Sequence, residues 1–449
     1  MKIAILGGGG TRTPLLFQGL INLAKTIGLN EISLMDIDEK KLMLMGKVIN
    51  SLLLKSGVDV RVTYTQNLKD CLRDSSFVIN AIRVGGEHFR ILDERVPLKY
   101  GLIGQETVGP GGFAMAVRTI PVVLKIAEAI HLTCPDAWLI NFTNPSGIIT
   151  QAIYTRSSHQ KVVGICDVPG SIKNIISKLS GKKEEDIYLD YFGLNHLGWI
   201  KGVYIEGKDY LKTIIEVISN YPDFENLSGI PVEFVQKIKM LPNPYLYYYY
   251  FTDKAYKDMK NCEQTRGERV RDINLKLFEE LEKDENPTDI YYKYIKSREE
   301  KINSLEINSG VKMEEGEGYV DVALKVIKGL SLGGEMAIVN TPNHGSIFGL
   351  NPDDIVEVPV YIGKNLIKPL STGNIPREIE LLIKQVKNYE REIVEGVCEA
   401  SYDKLLSALA KNPLVPSIKI ARKVVDEYIE LEKEYFSIYI NKTGSHIES

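Results

Sequence analysis

The sequence predicts an α/β fold, a doubly wound parallel sheet followed by a second, mixed domain. Three observations lead there. Short runs rich in Ile and Val alternate with longer amphipathic stretches through residues 1–192. A glycine-rich loop directly follows the first of those runs, and beyond residue 195 the alternation gives way to long charged stretches. Strand–helix alternation implies a parallel sheet because each right-handed crossover returns the chain in the same direction.

Taken in order, Lys2–Leu6, Glu31–Met35, Val60–Thr65, Phe77–Ala81, Trp138–Phe142 and Lys161–Ile165 are the predicted strands. They are bounded by Gly, Asp or Asn, as strands buried on both faces tend to be. Between them Thr13–Ile27, Lys40–Leu54 and Thr119–His131 carry helical spacing. The second region offers strands at Trp199–Ile205, Met336–Asn340 and Ile355–Tyr361, among charged helices at Glu268–Asp284 and Pro376–Leu405. No internal repeat is visible. The run Lys296–Lys301 mixes both signs and reads as a solvated face, and Asn441–His446 reads as a frayed terminus.

Composition limits the function. A chain of 449 residues is long enough for two or three packed domains. Its 55 basic and 59 acidic side chains leave a net charge of −4, which excludes a protein that works through a strong basic field. No run approaches the ~18 apolar residues of a membrane span. The start, Met1-Lys2-Ile3-Ala4-Ile5-Leu6, reads as a strand and not as a signal peptide. Five scattered cysteines, an odd number, argue against a disulfide framework and for a reducing compartment. The expectation is a soluble, cytoplasmic protein with a small-molecule substrate and neither nucleic-acid nor membrane partners.

Gly7-Gly8-Gly9-Gly10-Thr11-Arg12-Thr13-Pro14 closes the first strand and opens a helix. Backbone amides approach a pyrophosphate closely where no Cβ intervenes, and the helix N-terminus adds about half a positive charge. Asp36 ends the second predicted strand, where a carboxylate can hold a ribose hydroxyl pair. The third glycine of the dinucleotide fingerprint is missing, since its position falls on Arg12 or Thr13. Strand, loop, helix, strand and acid in that order still point to a dinucleotide. Asp36 favours NAD, because the 2′-phosphate of NADP would meet a carboxylate. The expected division is thus 1–192 as an NAD-binding, Rossmann-like domain and 193–449 as a mixed domain for substrate and metal.

Cys166 and Asp167 end the sixth predicted strand, on the sheet edge where ligands bind, and His196 follows thirty residues later. Thiolate and imidazole together can hold a divalent metal and leave positions open for substrate oxygens. On spacing alone Cys166 reads equally as a small core residue, and His196 as a structural one.

Together these segments resemble glycoside hydrolase family 4, over nearly the whole chain. The matching stretches are the glycine loop, Arg83-Val84-Gly85-Gly86, Arg90 with Asp93-Glu94-Arg95, and Gly104–Gly112. Asn141-Phe142-Thr143-Asn144-Pro145-Ser146-Gly147, Cys166–Pro169, Gly193–His196, Pro242–Leu246 and Arg266 complete them. The fourth and seventh of these stretches to follow the glycine loop, Asn141–Gly147 and Pro242–Leu246, are most similar to the 6-phospho-β-glucosidase branch.

The resemblance implies a lactate/malate dehydrogenase-like arrangement of the C-terminal domain and assigns roles. Cys166 and His196 would ligate the metal, usually Mn2+, and Gly7, Gly8, Gly9, Gly10, Thr11 and Asp36 would hold NAD. Arg90, Asn144 and Arg266 match substrate contacts. Tyr245 matches the catalytic base, Glu106 the carboxylate that raises its basicity, and Asp167 the proton donor of some members; others, β-specific ones included, carry Asn there. The implied reaction oxidises C3 of the sugar, removes the C2 proton, expels the aglycone, adds water and re-reduces. The family exception to two-carboxylate glycosidases follows from this redox route. A homodimer or homotetramer is also implied.

From the residues alone, Tyr245 opens an aromatic run that packing explains equally well. Arg83 meets a substrate phosphate or closes a loop, Glu106 is a carboxylate or a cap, and His344 reads as a loop residue. Two alternatives stay open beside the glycosidase: a 2-hydroxy-acid dehydrogenase, which would release NADH in proportion to substrate, and a non-catalytic NAD-binding regulator. A 6-phospho-α-glucosidase of the same family is the nearest variant.

Overall fold

The computed structural model describes residues 1–220, 225, 229–283, 285–306 and 317–439. The frayed terminus expected at 441–446 lies outside them. The six predicted N-terminal strands are present as β1 (Lys2–Leu6), β2 (Glu31–Met35), β3 (Arg61–Thr65), β4 (Phe77–Asn80), β5 (Trp138–Asn141) and β6 (Val162–Gly164). They pair in parallel in the order β3-β2-β1-β4-β5-β6. Ile3, Ala4, Ile5 and Leu6 are fully buried, as the apolar run requires of a central strand covered on both faces.

The helices start and stop for local reasons. Asp38 caps the helix Glu39–Ser56 by accepting from the Lys41 amide, and Gly57 ends it in the left-handed conformation. The helix expected at Thr119–His131 begins earlier, at Gly109, and runs to Thr133. The glycines that hid this start lie buried in its first turn, and Pro110 occupies a position where no amide bond is lost.

The second half differs from expectation in one important way. It opens with a hairpin of β7 (Ile187–Leu194) and β8 (Leu197–Ile205), to which β9 (Lys208–Asp209) and β10 (Leu241–Pro242) add. Next come β11 (Glu335–Pro342), β12 (Ile347–Phe348), β13 (Ile355–Gly363) and β14 (Leu366–Pro369). Strands β11 and β13 carry the runs Met336–Asn340 and Ile355–Tyr361 that the sequence assigned to the second domain, and with β14, which it did not predict, they extend the first sheet. β11 pairs antiparallel with β6, then β13 and β14 follow, giving nine strands. The correction has a physical cause. β6 would otherwise be an open edge, and β13 is buried along nearly its whole length, which suits an interior strand.

The helix expected over Pro376–Leu405 is two helices, Arg377–Cys398 and Tyr402–Lys411. Ala400 takes a φ of +49° between them, and Ser401 caps the second by accepting from the Lys404 amide. The charge-dense run from Lys296 lies in the helix Pro287–Glu306. Among the described residues, no helix is long and apolar enough to cross a membrane.

Candidate active site

Strand order reverses between β1 and β4, and in such sheets ligands bind outside the carboxyl ends of the strands at that point. The glycine loop sits there. Gly7 and Gly8 amides both donate to the Met35 carbonyl at 2.9 Å, pulling the loop against the end of β2. A Cβ on Gly7, whose φ is +88°, would stand 2.6 Å from the Ala81 carbonyl oxygen, and one on Gly9 would meet Asp36 Oδ2 at 3.0 Å. The Gly9 amide itself donates to Asp36 Oδ2 at 2.8 Å. The loop is therefore a cradle closed to side chains and backed by a carboxylate, which fits a dinucleotide. Thr13, where the third glycine would stand, ties its hydroxyl back to the Gly7 carbonyl. Thr11 is held from the second half of the chain: Tyr291 Oη donates to its carbonyl at 2.8 Å.

Arg83 follows β4, Asn144 follows β5 and Cys166 with Asp167 follows β6, so three strand ends deliver four of the site residues. Asn144 precedes Pro145 through a cis peptide bond. His196 is delivered differently. Asn195 and His196 are the two-residue turn of the β7–β8 hairpin, and His196 takes a φ of +62°. The turn points the imidazole at the end of β6, where Nε2 lies 3.6 Å from Cys166 Sγ.

That spacing fits a metal. Divalent ions take sulfur and nitrogen donors at a little over ~2 Å, so at this separation one ion could be held by both atoms. Burial lowers the His196 pKa to about 3, with Glu106 pulling weakly the other way, so the imidazole stays neutral and keeps a lone pair. Burial, with help from Glu357 and Asp167, pushes the Cys166 thiol well above its usual range. Among the described residues, no group of three His, Cys, Asp or Glu side chains is placed to hold a metal. Among the described residues this pair offers a sulfur and a nitrogen donor, with Asp167 Oδ1 3.8 Å from Cys166 Sγ.

Tyr245 lies over this pair, its ring stacked on His196 with centroids 3.7 Å apart and planes 7° from parallel. Its backbone is fixed from below. The Tyr245 amide donates to Asn243 Oδ1 at 2.9 Å, and Asn243 Nδ2 donates to Tyr191 Oη at 3.0 Å. Tyr191 then donates to Glu357 Oε2 at 2.6 Å, and Glu357 Oε1 accepts from Asn195 and Asn340. One buried carboxylate, its pKa raised by burial to about 7, therefore secures both the His196 turn and the Tyr245 loop. Burial raises the Tyr245 phenol above its usual value, while the nearby Arg266 charge opposes the rise.

Glu106 is not hydrogen-bonded to Tyr245. Its Oε2 accepts from Arg83 and Arg90, each at 2.7 Å. Burial alone would raise this acid, but Arg83, Arg90 and Arg266 together hold it down at about 2. Arg90 also lies 3.4 Å from Glu94, whose other oxygen accepts from the Gly267 amide at 2.7 Å and so seats the start of the Arg266 helix. The arginine–carboxylate pairs are local in sequence, and the Glu94–Gly267 bond ties them to a helix 173 residues further on.

Sequence reasoning missed Glu357, Gln105 and Thr107 as members of the site. For Glu357 a signal existed: it is the lone charge in the apolar run Ile355–Ile362. Gln105 and Thr107 lay inside a quoted stretch, but nothing in their spacing marks them. Arg83 is a partner of Glu106 at 2.7 Å.

Comparisons with known proteins agree with this geometry. The family model described as family 4 glycosyl hydrolase matches residues 2–182, and that of the family 4 glycosyl hydrolase C-terminal domain matches residues 191–415. A Bacillus subtilis (strain 168) protein named "Probable 6-phospho-beta-glucosidase" is 35% identical over 98% of this chain and 98% of its own. A maltose-6'-phosphate glucosidase of Fusobacterium mortiferum is 31% identical over 97% and 99%. The structure of a Thermotoga maritima 6-phospho-β-glucosidase with manganese, NAD+ and glucose-6-phosphate superposes with a TM-score of 0.84 at 32% identity, covering 97% of this chain and 99% of that one. A malate dehydrogenase from Plasmodium falciparum, 13% identical with a TM-score of 0.51, shares the fold alone. With both family models matched in order, and a Cys–His pair and a tyrosine converging at the carboxyl end of the sheet that also carries the glycine cradle, the chain belongs to glycoside hydrolase family 4.

Proposed function

We propose that the protein hydrolyses 6-phospho-β-glucosides, using NAD and a divalent ion, most simply Mn2+. The single observation that carries this reading is the buried Cys166–His196 pair with Tyr245 stacked against it, on the sheet edge that also bears a loop shaped for a dinucleotide. Relatives named for this activity over nearly the full chain support it.

When bound, NAD supplies reversible hydride acceptance at C3 of the sugar and the divalent ion supplies polarisation of the carbonyl oxygen. Gly7, Gly8, Gly9, Gly10 and Thr11 take the pyrophosphate, and Asp36 takes the adenosine ribose. Cys166 Sγ and His196 Nε2 hold the ion. Tyr245 Oη removes the proton at C2, and the Arg266 charge favours the phenolate it needs. Glu106, charged throughout the working range, sets the basicity of that phenolate through its field while its hydrogen bonds fix Arg83 and Arg90. Arg90, Asn144 and Arg266 orient the sugar. Asp167 donates a proton to the leaving oxygen. In this reading residues 1–192 hold the cofactor and also bring Arg90, Asn144, Cys166 and Asp167 to the sugar and the ion, while residues 193–449 add His196, Tyr245 and Arg266. The charged substrate supports a cytoplasmic setting, and the resemblance supports a homodimer or homotetramer.

Asp167 favours a second reading, a 6-phospho-α-glucosidase, as do relatives such as the maltose-6'-phosphate glucosidase. Release of p-nitrophenol from its 6-phospho-β- and 6-phospho-α-glucosides, with and without NAD and Mn2+, decides between them. Release from the β-anomer that needs both additions, without net NADH, is the expected result. Preference for the α-anomer transfers the case to the second reading, and net NADH without cleavage overturns both in favour of a dehydrogenase.

A further inference from the structure

We propose that Thr107 is a positioning residue, one that fixes His196 as its Nδ1–H tautomer and so turns the Nε2 lone pair toward Cys166 and the divalent ion. The inference rests on the metal reading of the Cys166–His196 pair and specifies how that pair is prepared.

The argument runs through three buried side chains. Gln105 Oε1 lies 2.5 Å from the Thr107 amide and 2.9 Å from the Val108 amide. Two backbone N–H groups aim at this atom, so it is the amide oxygen and not the nitrogen. The Thr107 hydroxyl lies 2.9 Å from the same atom. An amide oxygen only accepts, and the Thr107 hydroxyl donates to it as a third donor beside the two amides. Thr107 Oγ1 also lies 3.1 Å from His196 Nδ1. With its proton spent, the hydroxyl can only accept there, and Nδ1 must carry the hydrogen. A neutral imidazole has one N–H, so Nε2 is left bare, 3.6 Å from Cys166 Sγ.

The environment makes the arrangement strict. Gln105, Thr107 and His196 are all nearly fully buried, and water is not at hand to replace a lost partner. The turn that carries His196 is separately held by Asn195 against Glu357, so Thr107 governs the ring's proton and not the turn's position. Outer partners of this kind typically change metal affinity by 10–100-fold when removed.

The test uses the full chain saturated with NAD. A long-range proton–nitrogen spectrum of protein labelled at histidine, with the His196 signals identified by their loss in His196→Ala, is expected to show the Nδ1–H form in wild type and in Thr107→Ser. Thr107→Val, which keeps the shape and loses the hydroxyl, is expected to show the Nε2–H form or a mixture. An Nε2–H ring in the wild type, or an unchanged ring in Thr107→Val, overturns the proposal. Mn2+ titration followed by electron paramagnetic resonance provides the second readout. Thr107→Val is expected to bind about 10–100-fold more weakly, with Thr107→Ser near wild type; equal affinity in Thr107→Val and wild type overturns the positioning role. Equal affinity in wild type and His196→Ala would instead remove the metal assignment. Retained NAD binding shows that the variant is folded, and Thr107→Ala takes its place if Thr107→Val is not.

Discussion

The imidazole of His196 lies flat on the phenol of Tyr245, 3.7 Å between ring centroids and 7° from parallel. A metal-ligand candidate and a base candidate from opposite ends of the β8–β10 segment are thus packed as one unit. The stack brings the reacting end of the site together before any substrate arrives, and it needs only the ring of Tyr245, not its hydroxyl.

This separates chemistry from packing. Tyr245→Phe is expected to keep the stack and therefore wild-type melting temperature and Mn2+ affinity. Its turnover is expected to fall by about 10²–10⁴-fold, the usual loss when a general base is removed. Exchange of the C2 proton of the substrate with solvent deuterium checks the assignment: retained exchange in this variant would take Tyr245 out of the base role.

Cys166→Ser tests the other half of the unit. The buried thiol is held protonated in the metal-free protein, so a bound ion must displace its proton. A serine hydroxyl gives up its proton far less readily than a thiol, and the anionic ligand is lost. Metal-dependent turnover is expected to disappear while NAD affinity, measured by quenching of protein fluorescence, stays at the wild-type value. Near-normal activity of this variant in the presence of a chelator would remove Cys166 from the metal shell.

How much of this was legible beforehand depends on distance along the chain. Strands β1, β2 and β4 were readable nearly to the residue because their apolar runs and bounding polar residues are local. The glycine loop and Asp36 were readable for the same reason. Strand β7 was not, since Ile187–Leu194 mixes Asp190 and Gly193 into its apolar pattern. That β11 joins β6 could not be read either, because pairing across 170 or more residues leaves no local trace. Cys166 and His196 were named as a pair through resemblance. The contacts that make them a site, from Thr107 and Glu357, are tertiary. Spacing shows which groups a chain carries, while their partners follow from where the sheet delivers them.

A stability prediction concerns a region away from the chemistry. Arg118, on the long helix after the site loop, meets Asp93 at 2.8 Å and Glu432 at 3.2 Å, and all three side chains are fully buried. One arginine cannot neutralise two buried carboxylates. Burial raises both acids above the ordinary carboxylate range, with Arg118 pulling against it. The folded state therefore holds a proton that the unfolded chain, with acids near ~4, releases. Because the folded state binds more protons, stability falls as pH rises from the ordinary carboxylate range through neutrality. Thermal melting between pH 6 and pH 9 is expected to show this decline in the wild type and a flatter profile in Glu432→Gln, which keeps the shape without the charge. Parallel profiles for the two proteins would remove this triad as the cause.

Asp36 makes the last case, and it needs two variants because the residue does two things. Its Oδ2 accepts from the Gly9 amide at 2.8 Å and its Oδ1 from the Asp38 amide at 3.0 Å, so the carboxylate shapes the loop in addition to the ribose role proposed for it. Asp36→Ala removes both functions. Hydrogen bonds to a charged group are worth about 1.5–3 kcal/mol, which corresponds to roughly a ten- to hundredfold loss of NAD affinity. Asp36→Asn is more telling. Its amide oxygen can still accept from Gly9, while the bond from the Asp38 amide is lost together with the negative charge. If that charge is what excludes a 2′-phosphate, Asp36→Asn gains NADP affinity relative to NAD while Asp36→Ala loses both. Titration of each variant with NAD and NADP separates the two functions, and an unchanged preference in Asp36→Asn would move the origin of cofactor selection elsewhere in the loop.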